Sequence, residues 1–133
     1  MAVSRAQLAF AEELFAALGV SSRRMFGGAG LYAEGVMFGL IDGEEVIYLK
    51  ADDALRAELE AEGSRPFQYT FPSGPRAGQT VGMGYWSLPD SALDEPDAAA
   101  SWGRRALEVA LKANAAKPAK RRKEVSALDG QDG

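Results

Sequence analysis

From Arg23 to Lys50 the chain reads RRMFGGAGLYAEGVMFGLIDGEEVIYLK, and this stretch decides the fold. Glycines stand at 27, 28, 30, 35, 39 and 43, with short apolar pieces between them: Met25-Phe26, Leu31-Tyr32, Val36-Met37-Phe38, Leu40-Ile41 and Val46-Ile47-Tyr48-Leu49. Each glycine costs a helix interior about 1 kcal/mol relative to alanine, so a helix is excluded here. The turn signals Ala33-Glu34-Gly35 and Asp42-Gly43-Glu44 divide the stretch into three strands, at about 24–33, 36–42 and 45–50. Connections this short impose an antiparallel meander. The first strand is long and glycine-rich. A bend or bulge is expected near Gly27-Gly28, where the missing side chains admit a close backbone approach, with the last helix as the approaching element.

Outward from the meander, Ser4 to Leu18 reads as a helix. Ser4 and Gln7 have capping-box spacing, Leu8, Ala11, Leu14, Phe15 and Leu18 recur on one face, and Gly19 supplies the stop. After the meander, Asp52 or Asp53 caps a second helix that ends at Gly63 and buries Leu55 and Leu59. Pro66-Phe67-Gln68-Tyr69-Thr70-Phe71 alternates apolar and polar residues, as a half-buried strand does. A loop from Pro72 to Gly78 leads to a fifth strand, Val81 to Leu88, which contains Met83, Tyr85 and Trp86 and is ended by Pro89. Asp94 with Pro96 opens a last helix that runs to about Ala116 and carries Ala98, Trp102, Ala106, Val109 and Ala110 on one face. The order helix, three strands, helix, two strands, helix (α-β-β-β-α-β-β-α) predicts an α+β fold in two layers, an antiparallel five-stranded sheet with helices packed on it. Residues 1–116 form this domain, and residues 117–133 are expected to be a disordered basic tail.

Composition narrows the chemistry. The 133 residues include no cysteine and no histidine. Disulfides, thiolate nucleophiles, the commonest zinc ligands and the commonest general base are therefore absent. No Asp/Glu spacing resembles a calcium loop. No metal, no cofactor and no catalytic residue are expected. Asp42, Glu44 and Glu45 belong to a turn and Asp52 and Asp53 to a helix cap, so each acidic candidate has a sufficient structural role. No apolar run approaches the roughly 18–20 residues of a membrane span, and the N-terminus is unlike a secretory signal, which makes a cytoplasmic protein without membrane contact the expectation.

The overall charge of −4 is uneven. From Lys112 onward six basic residues (Lys112, Lys117, Lys120, Arg121, Arg122, Lys123) face three acidic ones (Glu124, Asp129, Asp132), leaving +3 there and −7 on the first 111 residues. An acidic body offers no broad nucleic-acid surface. The arm Lys117, Lys120, Arg121, Arg122 and Lys123 could still neutralise a few phosphates, without sequence specificity because no aromatic is interleaved for base stacking. A solubilising tail is the other reading. Met25 to Leu31 carries glycines like a phosphate loop, yet a strand rather than a helix follows, so the fingerprint fails. Arg23 and Arg24 precede it, one for each face of the strand, and could pair with an anion. Trp86, if exposed at a sheet edge, would serve a partner interface; burial in the core is the alternative.

Arg24-Met25-Phe26-Gly27-Gly28-Ala29-Gly30-Leu31-Tyr32, followed by Gly35-Val36-Met37-Phe38-Gly39-Leu40-Ile41, resembles the N-terminal domain of the TfoX/Sxy bacterial competence regulators. So do Tyr48-Leu49-Lys50, Pro66-Phe67-Gln68-Tyr69, Met83-Gly84-Tyr85-Trp86 with Pro89, and Trp102. The match spans about residues 4–115. The resemblance implies a compact α/β domain linked to transcriptional control of DNA-uptake genes, with no catalytic residues to carry over. Full-length regulators have a second helical domain where this chain has its basic tail, so a stand-alone domain is implied. The expected function is a noncatalytic regulatory domain acting through protein contacts, with a protein partner or as a homodimer. Arg23, Arg24, Gly27, Gly28 and Trp86 are the candidate surface. The alternatives are a nonspecific nucleic-acid-associated protein using the tail, and a small-molecule or anion binder at the Arg23/Arg24 strand.

Overall fold

The computed structural model describes residues 2–25 and 27–116; the basic tail lies outside the described residues. The first helix, α1, is Arg5–Leu14, and the Ser4 side chain accepts the Gln7 backbone N–H at 3.0 Å. A 3-10 turn, Ala16–Leu18, continues it to Gly19, whose left-handed backbone (φ 71°) ends the segment. Six strands follow in two groups: β1 (Ser21–Met25), β2 (Gly28–Ala33), β3 (Val36–Ile41) and β4 (Ile47–Lys50), then, after α2 (Asp53–Ala61), β5 (Pro66–Thr70) and β6 (Thr80–Ser87). A last helix, α3 (Pro96–Ala115), closes the order. The strands form one antiparallel sheet in the order β1-β2-β3-β4-β6-β5.

Among the described residues the sheet therefore has more strands than the five expected, six in this order. The single long strand expected at about 24–33 is two strands that reverse between Met25 and Gly28, which are themselves paired. Gly27 adopts φ 80°, a left-handed conformation that lets the chain turn back at once, so the expected bend is a full reversal. Gly28 is hemmed in by backbone: a Cβ there would land on the Ile41 carbonyl oxygen. The close approach comes from the neighbouring strand and not from the last helix.

A register shift between β2 and β3 leaves Phe38 as the extra residue, with Leu31 opposite Gly39 and Tyr32 opposite Met37. Such a bulge turns two successive residues to the same side. Phe38 accordingly sits fully buried on the helix side, its ring edge-on to Phe15 at 5.6 Å between centroids. Around this pair lie Ala11 and Leu14 of α1, Leu55 and Leu59 of α2, Leu31, Ile41 and Leu49 of the sheet, and Ala99, Ala106 and Ala110 of α3. All three helices thus share one face, giving the expected two layers. The small residues of α3 let it lie close. Gly103 faces the Phe15 ring, which an added Cβ would meet at 3.0 Å. Arg105 of α3 grips Glu58 of α2 through two 2.6 Å hydrogen bonds.

The residues before α1 strap two turns together. Val3 N–H donates to the Gly27 carbonyl at 2.8 Å, and Ser4 N–H donates to the Glu45 carboxylate at 2.7 Å. Gln7 adds a bond from its side-chain amide to the Glu45 carbonyl. The carboxyl of Glu45 is held below its ordinary range by these Ser4 contacts.

Candidate functional site

Among the described residues, no helix lies over the opposite face of the sheet. Residues paired across strands share a face, so β1 to β4 place Met25, Gly30, Met37, Leu40 and Tyr48 here. Leu40, Tyr48 and Tyr85 form a small buried cluster of their own, with Met37, Val46 and Phe67 packed against it. The pairing of β5 with β6 shifts between Pro66 and Gln68, and Gly84 nearby takes φ 79°. Irregularities of this kind bend a strand and increase its twist. The result is a cavity of about 450 Å³ whose wall includes Met25 from one edge strand and Phe67 and Tyr69 from the other, together with Met37, Leu40, Phe71 and Tyr85. Both edges of the sheet contribute, so the sheet curls around it. At Gly30 the Met25 and Met37 side chains close over the bare backbone, where a Cβ would come within 2.7 Å of both.

Few polar groups reach this wall. Asp42 is one, and its oxygens are engaged: Oδ1 accepts the backbone N–H groups of Glu44 and Val46 at 2.9 and 3.0 Å, and Oδ2 accepts the Tyr48 hydroxyl at 3.3 Å. Tyr85 is another. The residue is 8% exposed, and its hydroxyl has no hydrogen-bond partner among the described residues. Burial, with a smaller contribution from Tyr32, pushes the Tyr85 phenol up to about 12. Burial and then the charge of Asp42 also raise the Tyr48 phenol. Both phenols are neutral donors at neutral pH. Among the described residues no group of three His, Cys, Asp or Glu side chains could hold a metal, and no helix is long and apolar enough to cross a membrane.

The residues singled out from sequence are not gathered at one point. Arg23 and Arg24 do take opposite faces. Arg24 donates to the Val3 carbonyl at 2.7 Å, bracing the N-terminal strap. Arg23 lies over Tyr32, 5.1 Å from the ring centroid, in a polar hollow of about 300 Å³ that Ser21, Ser22 and Glu34 also line. The Glu34 carboxylate there opposes an anion. Gly27 and Gly28 serve the reversal between β1 and β2. Trp86 stands on β6, an interior strand between β4 and β5, so it is not at a sheet edge. It is partly buried against the main core, with the Arg56 guanidinium 5.9 Å from its ring. Lys117, Lys120, Arg121, Arg122 and Lys123 lie outside the described residues.

Sequence reasoning identified the strand containing Phe67, Tyr69 and Phe71 and the strand containing Tyr85, but not the cavity they share. The available signal was a second row of large apolar residues in a sheet whose helices suffice for one face only.

In comparison with known proteins, the family model of the TfoX N-terminal domain matches residues 13–110 of the chain. Among curated proteins no match is found.

Proposed function

The chain belongs to the family of TfoX N-terminal domains, a family linked in general to competence regulation, and from that premise we propose that it is a noncatalytic regulatory domain that works by contact with a protein partner. The observation that carries this reading is the helix-free face: an apolar concavity with Tyr69 and Phe71 at its half-exposed arm, at which the described carboxylate, Asp42, is engaged by its own turn. Fully buried interface centres are rich in such aromatic and methionine side chains. The contact proposed is an apolar protein segment laid on this face, supplied by a second copy of the chain or by another protein. Sedimentation of residues 1–133 between low and high micromolar concentration tests it, beside the same chain carrying Phe71→Ser. Association that Phe71→Ser weakens supports the reading. A monomer at every concentration, together with identical capture profiles from cell extract for both chains, overturns it.

The charge asymmetry favours a second reading, a nonspecific nucleic-acid arm at Lys117 to Lys123. A DNA titration of the full chain and of one ending at Ala116, at low and near-physiological salt, decides it. Binding that disappears with the tail and falls steeply with salt is the expected result of that reading. Equal binding by both chains sinks it.

A further inference from the structure

The helix-free face is unusual in how its apolar surface is shaped. A flat patch would suit a broad partner, whereas this one closes around a volume of about 450 Å³, within the range of small-molecule sites. Three features define what fits. The wall is apolar on both sides, with Met25, Met37 and Leu40 facing the aromatic arm of Phe67, Tyr69 and Phe71. Methionine on one side supplies an adaptable surface and the rings on the other a rigid one. The carboxylate at the wall, Asp42, is engaged by its own turn and by the Tyr48 hydroxyl. Two phenols line the wall: Tyr69 is half-exposed, whereas Tyr85 is buried and its hydroxyl has no hydrogen-bond partner among the described residues. A buried donor without an acceptor is a cost that native structures rarely leave standing.

We propose that this cavity binds a small, neutral, largely apolar molecule bearing one hydrogen-bond acceptor, such as an aryl ketone or a comparable carbonyl compound, and that the Tyr85 hydroxyl donates to that acceptor. The proposal rests on the reading of this face as the working surface and adds what occupies it: filling the cavity changes the surface that a partner meets, which makes the contact responsive to the ligand. The Tyr85 phenol remains protonated across the physiological range, so the donor is present whenever the site is folded.

The test uses the full chain with methyl-labelled methionine and two probes of nearly equal shape, 2-acetylnaphthalene and 2-ethylnaphthalene. Met25 and Met37 line the cavity, and their methyl resonances report occupancy directly. Saturable shifts of these two methyls are expected, with the acetyl probe binding about five- to tenfold tighter than the ethyl probe. Partition onto an apolar surface alone gives the reverse order, because the ethyl compound is the more hydrophobic. Tyr85→Phe is expected to abolish the preference while retaining binding of the ethyl probe. Phe71→Ala, at the half-exposed arm, is expected to weaken both probes alike. Unmoved Met25 and Met37 methyls with both probes overturn the proposal, as does an acetyl preference that survives Tyr85→Phe. The readout is independent of self-association, so protein contact and ligand binding can fail separately.

Discussion

On one side of the sheet Leu31, Phe38, Ile41 and Leu49 are sealed beneath three helices, with the edge-on Phe15–Phe38 pair at the centre. On the other, Leu40, Tyr48 and Tyr85 make a smaller cluster that gives way to an open cavity. The same strands build both. The difference shows how a two-sided antiparallel sheet divides its work: the covered face supplies cohesion, and the uncovered face retains apolar surface that water still reaches. Large apolar concavities left in that state on a domain surface mark places where something else binds.

The sharpest way to break this comparison is to remove a large side chain from each face. Phe38→Ala on the helix side is expected to cost about 3–5 kcal/mol, because the bulge fixes its ring against Phe15 and the helices cannot collapse into the void. Denaturant unfolding measures it, and a loss under about 1 kcal/mol would refute the helix side as the main source of stability. Next comes Gly28→Ala, which drives a Cβ onto the Ile41 carbonyl and is expected to cost about 1–3 kcal/mol. An unchanged unfolding midpoint would contradict the close approach of the two strands.

Tyr85→Phe on the open face should behave in the opposite sense. It removes an unpartnered hydroxyl and keeps the ring, so stability is expected to hold or rise by up to about 1 kcal/mol at neutral pH. Its alkaline behaviour sharpens the point. The folded phenol titrates near 12 against an ordinary 10 because burial penalises its ionised form, so it leaves stability untouched below about pH 10 and lowers it as pH rises toward 12. Unfolding midpoints of wild type and Tyr85→Phe between pH 9 and 12 should diverge, with the wild type falling faster. Parallel curves would place the hydroxyl in water.

The smallest effect concerns the strap. The carboxyl of Glu45 is lowered in the folded chain, so its contribution is present above the ordinary glutamate range and is lost as pH falls through the folded value. Glu45→Gln should flatten the acid limb of thermal unfolding between pH 5 and 3 slightly. An acid limb of identical slope in both chains would show that the bond to Ser4 adds nothing.

Most of the fold was legible because its signals are local. Caps at Ser4 and Asp52, the turns at Glu34-Gly35 and Asp42, and the buried positions Leu14, Phe15, Leu55 and Leu59 all depend on neighbours within a few residues. The reversal after Met25 was not legible. Gly27 permits a bend and a hairpin equally, and the choice is made by the register between Arg23–Met25 and Gly28–Gly30. The face of α3 was legible in part: Ala106 and Ala110 are buried, and Ala98, Trp102 and Val109 pack at its margin. Trp102 draws attention as the large residue, yet the most buried stripe is Ala99, Gly103, Ala106 and Ala110, since a helix pressed onto Phe15 puts its smallest residues at the contact. The cavity depends on both edges of the sheet curling toward each other, and no single segment encodes that.

The placement of β6 between β4 and β5 also has a kinetic consequence. β1 to β4 follow one another as a meander of near neighbours, whereas β6 meets β4 only after the chain has made α2, β5 and the loop through 71–79. Contacts that span such a distance carry a loop-closure cost that adjacent hairpins avoid. The meander can therefore assemble early, and the β5–β6 hairpin joins it late. The arm carrying Phe67, Tyr69 and Phe71 is then also the last part of the cavity wall to be set in place, so the cavity takes shape only as the fold is completed.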